Sequence, residues 1–102
     1  MSNSYAGNPI ILDTFTSAID VASAMGFAVG TPLKINSIEW QTPSTVDHTA
    51  VITAGVGGPS VFSETCTTAK QSIIKYFHGA WVKNLNIAIS GVGSGSIVII
   101  FD

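Results

Sequence analysis

The chain of 102 residues contains no arginine, one cysteine and only 10% charged residues. Each shortage excludes something. Lys34, Lys70, Lys75 and Lys83 are its only lysines. Binding a phosphate backbone needs several clustered cations, so nucleic acid is not an expected partner. A polybasic membrane patch is absent for the same reason. Cys66 alone cannot close an intrachain disulfide, which excludes a secreted disulfide framework. It sits among threonines with no cationic neighbour to activate it, so it reads as a small hydrophobe or bystander. No apolar stretch approaches the ~18 residues of a membrane-spanning helix. The start, MSNSYAGNPI, lacks the cationic region and apolar run of a signal peptide.

The shortage of charge has a second meaning. Soluble domains carry about a quarter charged residues, whereas 46% of this chain is apolar. Such a surface is expected to meet other protein over much of its area. A monomer coated with Ser, Thr and Asn is the alternative.

What is present is β-sheet pattern. Residues 1–9 read as an extended arm with Tyr5 its one large group, and residues 10–102 as a single domain. Ile10–Thr16 and Asp20–Ala24 read as short strands, although helical spacing is also possible over 17–29. Leu33–Gln41 is the organising strand. Leu33 and Ile35 share one parity, Ile38 and Trp40 the other, so the phase flips near Asn36-Ser37 and a bulge or local twist is expected there. Strands follow at His48–Ala54, Ser60–Thr65, Lys70–His78, Trp81–Ser90 and Ile97–Phe101. The Gly55–Pro59 run joins two strands as a hairpin turn. It is not a phosphate cradle, because neither a helix nor a Lys-Ser pair follows it.

Two strands carry further expectations. Lys70–His78 is apolar on both parities and is expected to be covered on both sides. Ile97–Phe101 is a continuous apolar strand, expected inside a sheet or at a subunit interface. In Trp81–Ser90, the residues Trp81, Leu85, Ile87 and Ile89 share one face of a half-buried strand, and Ser90–Ser96 is expected to be a hairpin loop. Seven or eight short strands with regular turn signals predict an all-β fold. It is an antiparallel two-sheet β-sandwich, jelly-roll-like if eight strands are present.

Nothing in the chain is spaced for catalysis. Asp47 and His48 are adjacent, but on a strand they point to opposite faces. No serine elbow is present. The six carboxylates are scattered, and His48 and His78 lack the further partners of a metal site. Each histidine reads as a hydrogen-bonded structural residue, and no cofactor is expected. Trp40, Trp81, Tyr76 and Phe77 can form a sugar-stacking platform, although packing is the commoner use of strand aromatics.

The run from Leu33 to Asp102 resembles a group of small β-sandwich proteins that decorate or cement the virions of tailed bacteriophages. The resemblance lies in SIEW (Ser37–Trp40), DHTAVITAG (Asp47–Gly55) with its glycine turn and VF strand, VKNLNIAI (Val82–Ile89) and the closing SGSIVIIFD (Ser94–Asp102). It implies a virion component assembled in the host cytoplasm, with no enzymatic step, that binds the major capsid protein and is a homo-oligomer on the particle. A neck or tail connector and a carbohydrate- or receptor-binding module are the alternatives. Candidate interface residues are Tyr5, Pro9, Trp40, Trp81 and Phe101, because contact energy concentrates in aromatics. Core burial is the alternative for both tryptophans and is favoured more for Trp81.

Overall fold

The computed structural model describes residues 3, 5, 8–15, 18–28, 30–55, 58–88 and 91–102. The expectation of an extended arm at Met1, Ser2, Ser4, Ala6 and Gly7 lies outside the described residues, as do the ends of two expected strands at Thr16 and at Ile89-Ser90. The fold is all-β, with two antiparallel sheets of four strands each packed as a sandwich. The strands are β1 (Ile10–Leu12), β2 (Ile19–Asp20), β3 (Leu33–Gln41), β4 (Thr49–Ala54), β5 (Ser60–Thr65), β6 (Ile73–Val82), β7 (Leu85–Ile87) and β8 (Ser96–Phe101). One short helical turn, α1 (Val21–Ala24), follows β2. Sheet A has the order β1-β8-β3-β6 and sheet B the order β2-β7-β4-β5. The first strand pairs with the last, the second with the seventh, the third with the sixth and the fourth with the fifth.

The β3 strand centres sheet A. Ile35 pairs with Phe101, and the next partners are Ser37 with Ile100, so the register slips at Asn36. A bulge here lets Leu33, Ile35, Ile38 and Trp40 all face the core, although their sequence parity differs. This is the expected phase flip, seen as geometry. The same slip reaches β6, where His78 and Gly79 take positive φ values of 53° and 81°. Between the sheets lie Ile10, Leu12, Ile35, Ile38, Trp40, Ile97 and Ile99 from sheet A. Ala50, Ile52, Phe62, Leu85 and Ile87 meet them from sheet B.

Several boundaries differ from the pattern reading, each for a local reason. β1 ends at Leu12, because the Asn3 side-chain oxygen accepts the N–H groups of Asp13 and Thr14 at 2.8 Å each, in place of a strand partner. Asp20 closes β2 by accepting the N–H of Ser23 at 3.2 Å, which turns Val21–Ala24 into helix where a strand was expected. Trp81 belongs to β6, paired with Lys34, and not to the strand of Leu85 and Ile87. The chain leaves sheet A at Lys83-Asn84, where Asn84 has φ 56°, and enters sheet B as β7. The described part of the expected Ser90–Ser96 hairpin loop, Gly91–Gly95, therefore lies between strands of different sheets, since β7 and β8 do not pair. β4 and β5 pair as the expected hairpin, with Gly55 at φ 92° and the Ala54 N–H donating to the Pro59 carbonyl at 2.9 Å. β8 runs between β1 and β3, inside its sheet as expected.

Candidate interaction surfaces

Direct cross-strand partners share a sheet face, so the pairings place outward side chains of sheet A in rows. Three rows on the outer face carry its large apolar groups. Ile11, Val98, Glu39 and Ile74 form the first. Ile100, Ser37 and Tyr76 form the second. Lys34 and Trp81 form the third. Tyr76 is 59% exposed and Trp81 68%, while Ile11, Ile74 and Ile100 are also open to solvent. This is the face that the apolar pattern of β6 leads one to expect covered. Among the described residues it is open along β6, the edge strand, at Ile74, Tyr76 and Trp81, whereas Val98 and Ser37 on the strands inside the sheet are only 7% and 3% exposed.

The two tryptophans exchange the roles weighed for them. Trp40 is 0% exposed, and its indole Nε1–H donates to the carbonyl of Ser94 at 2.7 Å. It is a core residue and has no surface to offer a partner, which removes it from the candidate interface. Trp81, the better candidate for burial by pattern, stands in solvent. Strand alternation says which residues share a face but not which face another layer covers.

Charge on this face is sparse. Glu39 is half-buried in the apolar first row, and its Oε1 accepts from Gln41 Nε2 at 2.8 Å. Among the described residues no cation pairs with it. Lys34 lies at the other end and pairs with Asp102 at 3.0 Å, both side chains nearly half exposed. Such an exposed pair contributes about 0–1 kcal/mol. Gly79 lies directly below this pair, and a Cβ there would sit 2.8 Å from Asp102 Oδ2.

A second surface opens at one end of the sandwich. Met25, Phe27, Pro32, Leu33 and Phe101 line a groove of about 430 Å³, with Asn8, Thr31 and the Lys34–Asp102 pair around it. Phe27 is exposed and Phe101 half-buried against the core. Asn8 clamps the end of β8, donating Nδ2–H to the Phe101 carbonyl and accepting the Phe101 N–H, each at 2.8 Å. The polar atoms at the rim are thus largely engaged with one another, and the open lining is hydrocarbon. Of the candidate interface residues, Phe101 lines this groove and Pro9 is exposed beside Asn8. Tyr5 instead packs against the core, its hydroxyl accepting from Asn3 Nδ2 at 2.9 Å.

The polar residues that pattern reading weighed for chemistry have structural partners. Ser94 Oγ accepts the N–H of Ser44 at 3.0 Å and lies 2.9 Å from His48 Nδ1. The Ser94 hydroxyl bonds both partners, and its contacts tie the Thr42–His48 loop to the Gly91–Gly95 loop. His78 stacks on Tyr76 at 6.0 Å between ring centroids. Cys66 is buried, its Sγ–H donating to the Thr68 carbonyl at 3.3 Å. Among the described residues no three His, Cys, Asp or Glu side chains come together as metal ligands. None of the described helices is long and apolar enough to cross a membrane. Pattern reading missed Ile11, Phe27, Ile74 and Ile100 as surface groups. The signal was present in the two-sided apolar strands β6 and β8, read as a strand covered on both sides and a strand inside a sheet or at a subunit interface, but these side chains were not singled out.

Compared with protein-family models, curated proteins and solved structures, the chain matches none.

Proposed function

We propose that this chain is a non-enzymatic structural component of a bacteriophage virion, which decorates or cements the shell by binding major capsid protein subunits. The observation that carries the reading is apolar surface open in two places on one small, weakly charged sandwich: the outer face of sheet A and the groove at Phe27 and Phe101. A protein with such surfaces is suited to contact more than one neighbour, as a lattice component does. The groove, beside Pro9 and Asn8, is the proposed shell contact, with an apolar side chain or segment of the capsid subunit as its occupant. Binding the assembled lattice in preference to free subunits stabilises the shell by mass action.

The winding supports the reading by analogy. We infer a jelly roll, because each strand pairs with the one at the mirror position in the chain, from first with last to fourth with fifth. Two-sheet jelly rolls recur in viral capsid and lectin domains, although fold alone does not fix function. The sequence resemblance over Leu33–Asp102 points the same way.

The test is copy number per particle, by quantitative mass spectrometry of purified virions normalised to the major shell protein. Hundreds of copies support decoration. About six or twelve, the count of a closed ring, move the chain to the neck or tail. Absence from particles defeats the virion reading and makes glycan screening the next step.

A further inference from the structure

We infer that the outer face of sheet A is a self-association surface, covered by the same face of a second copy of this chain across a two-fold axis. The inference goes beyond the virion reading and does not depend on it. Three observations carry it.

The first is area. Ile11, Ile74, Tyr76, Trp81 and Ile100 together expose roughly 500 Å² on this one face, at the upper end of what a monomer's largest apolar patch covers, with the buried Val98 and Ser37 between them. A standard interface takes about 800 Å² from each partner. The patch with its polar margin of Lys34, Glu39 and Gln41 is of that order.

The second is charge. Ser37, Tyr76 and Ile100 form the middle row, Lys34 with Trp81 lies one row to one side, and Glu39 with Ile74 lies one row to the other. A two-fold axis in the plane of the contact, running along the middle row, exchanges the outer rows. It brings Lys34 of each copy towards Glu39 of the other. Glu39 is half-buried among apolar neighbours with no cation beside it among the described residues, so a partner that supplies one is the partner that fits. An isologous contact supplies it twice from a single placement.

The third is the edge. β6 has no strand partner on one side among the described residues, but it carries an inward-facing charge, Lys75, whose Nζ donates to the Val61 carbonyl of sheet B at 3.0 Å, and the positive-φ pair His78-Gly79 breaks its regular extension. Edge charges and bulges oppose strand-to-strand pairing between chains. The surface is therefore built for face-to-face packing of two sheets, the arrangement already used between sheets A and B.

Sedimentation of the purified chain from about 1 to 500 µM tests this directly. The expected result is a concentration-dependent dimer. Tyr76→Lys, in the middle row on the edge strand β6, is expected to weaken it at least tenfold. Lys34→Glu and Glu39→Lys are each expected to weaken it by a similar factor, and the double variant to return to within a few-fold of the original. Circular dichroism and thermal unfolding check that each variant remains folded. A chain that stays monomeric across the whole range overturns the inference, as does a dimer that neither Tyr76→Lys nor the charge reversals affect. A double variant no tighter than the single ones overturns the two-fold arrangement. The measurement uses the free chain, so its failure is distinct from absence of the chain in virions.

Discussion

Sheet A has two apolar faces, and they do different work. The inner face presents Ile35, Ile38, Trp40, Ile97 and Ile99, all fully buried against sheet B. The outer face presents Ile74, Tyr76, Trp81 and Ile100 to solvent. The residue types are nearly the same. What differs is the covering layer: sheet B covers the inner face, while among the described residues these outer side chains stay exposed. Burial of like side chains therefore stabilises the fold on one side and stays available for a second molecule on the other.

The largest expected effect comes from breaking the inner face. Trp40→Ala removes the largest buried side chain and the Nε1–H bond to Ser94, and should cost about 3–5 kcal/mol in denaturant unfolding. Ile99→Ala on the neighbouring strand should cost about 2–5 kcal/mol by the same cavity mechanism.

Next is the turn that feeds β8. Gly95 has φ 75°, and a Cβ there would run into the Gln41 carbonyl and the backbone of Pro43. Gly95→Ala should cost at least about 1–3 kcal/mol, read as a lowered unfolding midpoint. A smaller loss is expected at the loop tie. His48→Ala removes the imidazole partner of the Ser94 hydroxyl and should cost about 1 kcal/mol. Its local signature is faster amide exchange in the Thr42–His48 and Gly91–Gly95 loops, with the sheet cores unchanged.

The smallest effect on the isolated fold is expected on the outer face. Trp81→Ala should change monomer stability by no more than about 0.5 kcal/mol, as usual for exposed positions. A loss of several kcal/mol there would erase the contrast between the faces.

Much of this arrangement was legible in the chain. The parity break between Ile35 and Ile38 announced the bulge, because only an extra residue lets both face one core. The boundaries of β3 and β5 follow from alternation and turn residues. The two-sheet sandwich follows from strand number and spacing. The short helix after Asp20 was hard to read, since four residues make one turn and show no period. Trp81 was misplaced because its parity matches that of Leu85 and Ile87, while the Lys83-Asn84 turn moves the chain between sheets and voids the comparison. Its exposure was hidden for a deeper reason. A strand apolar on both sides has the same pattern whether its outer face meets a third layer, a second chain or water.

The contact groups fared similarly. Phe101 lines a groove, but Phe27 and Met25 complete it from the segment after α1, which the strand pattern does not relate to β8. Only the folded chain brings these segments together. Asn8 binding Phe101 across the chain is likewise a tertiary event without a local sequence signal.

The most direct test of the two-face account is unfolding of the original chain, Trp40→Ala and Trp81→Ala by denaturant, each at low and high protein concentration. The account predicts that Trp40→Ala loses about 3–5 kcal/mol at both concentrations. Trp81→Ala should match the original chain at low concentration and lack the extra stability that the original gains at high concentration. Equal losses for both tryptophans at low concentration, or no concentration dependence in the original chain, would contradict it.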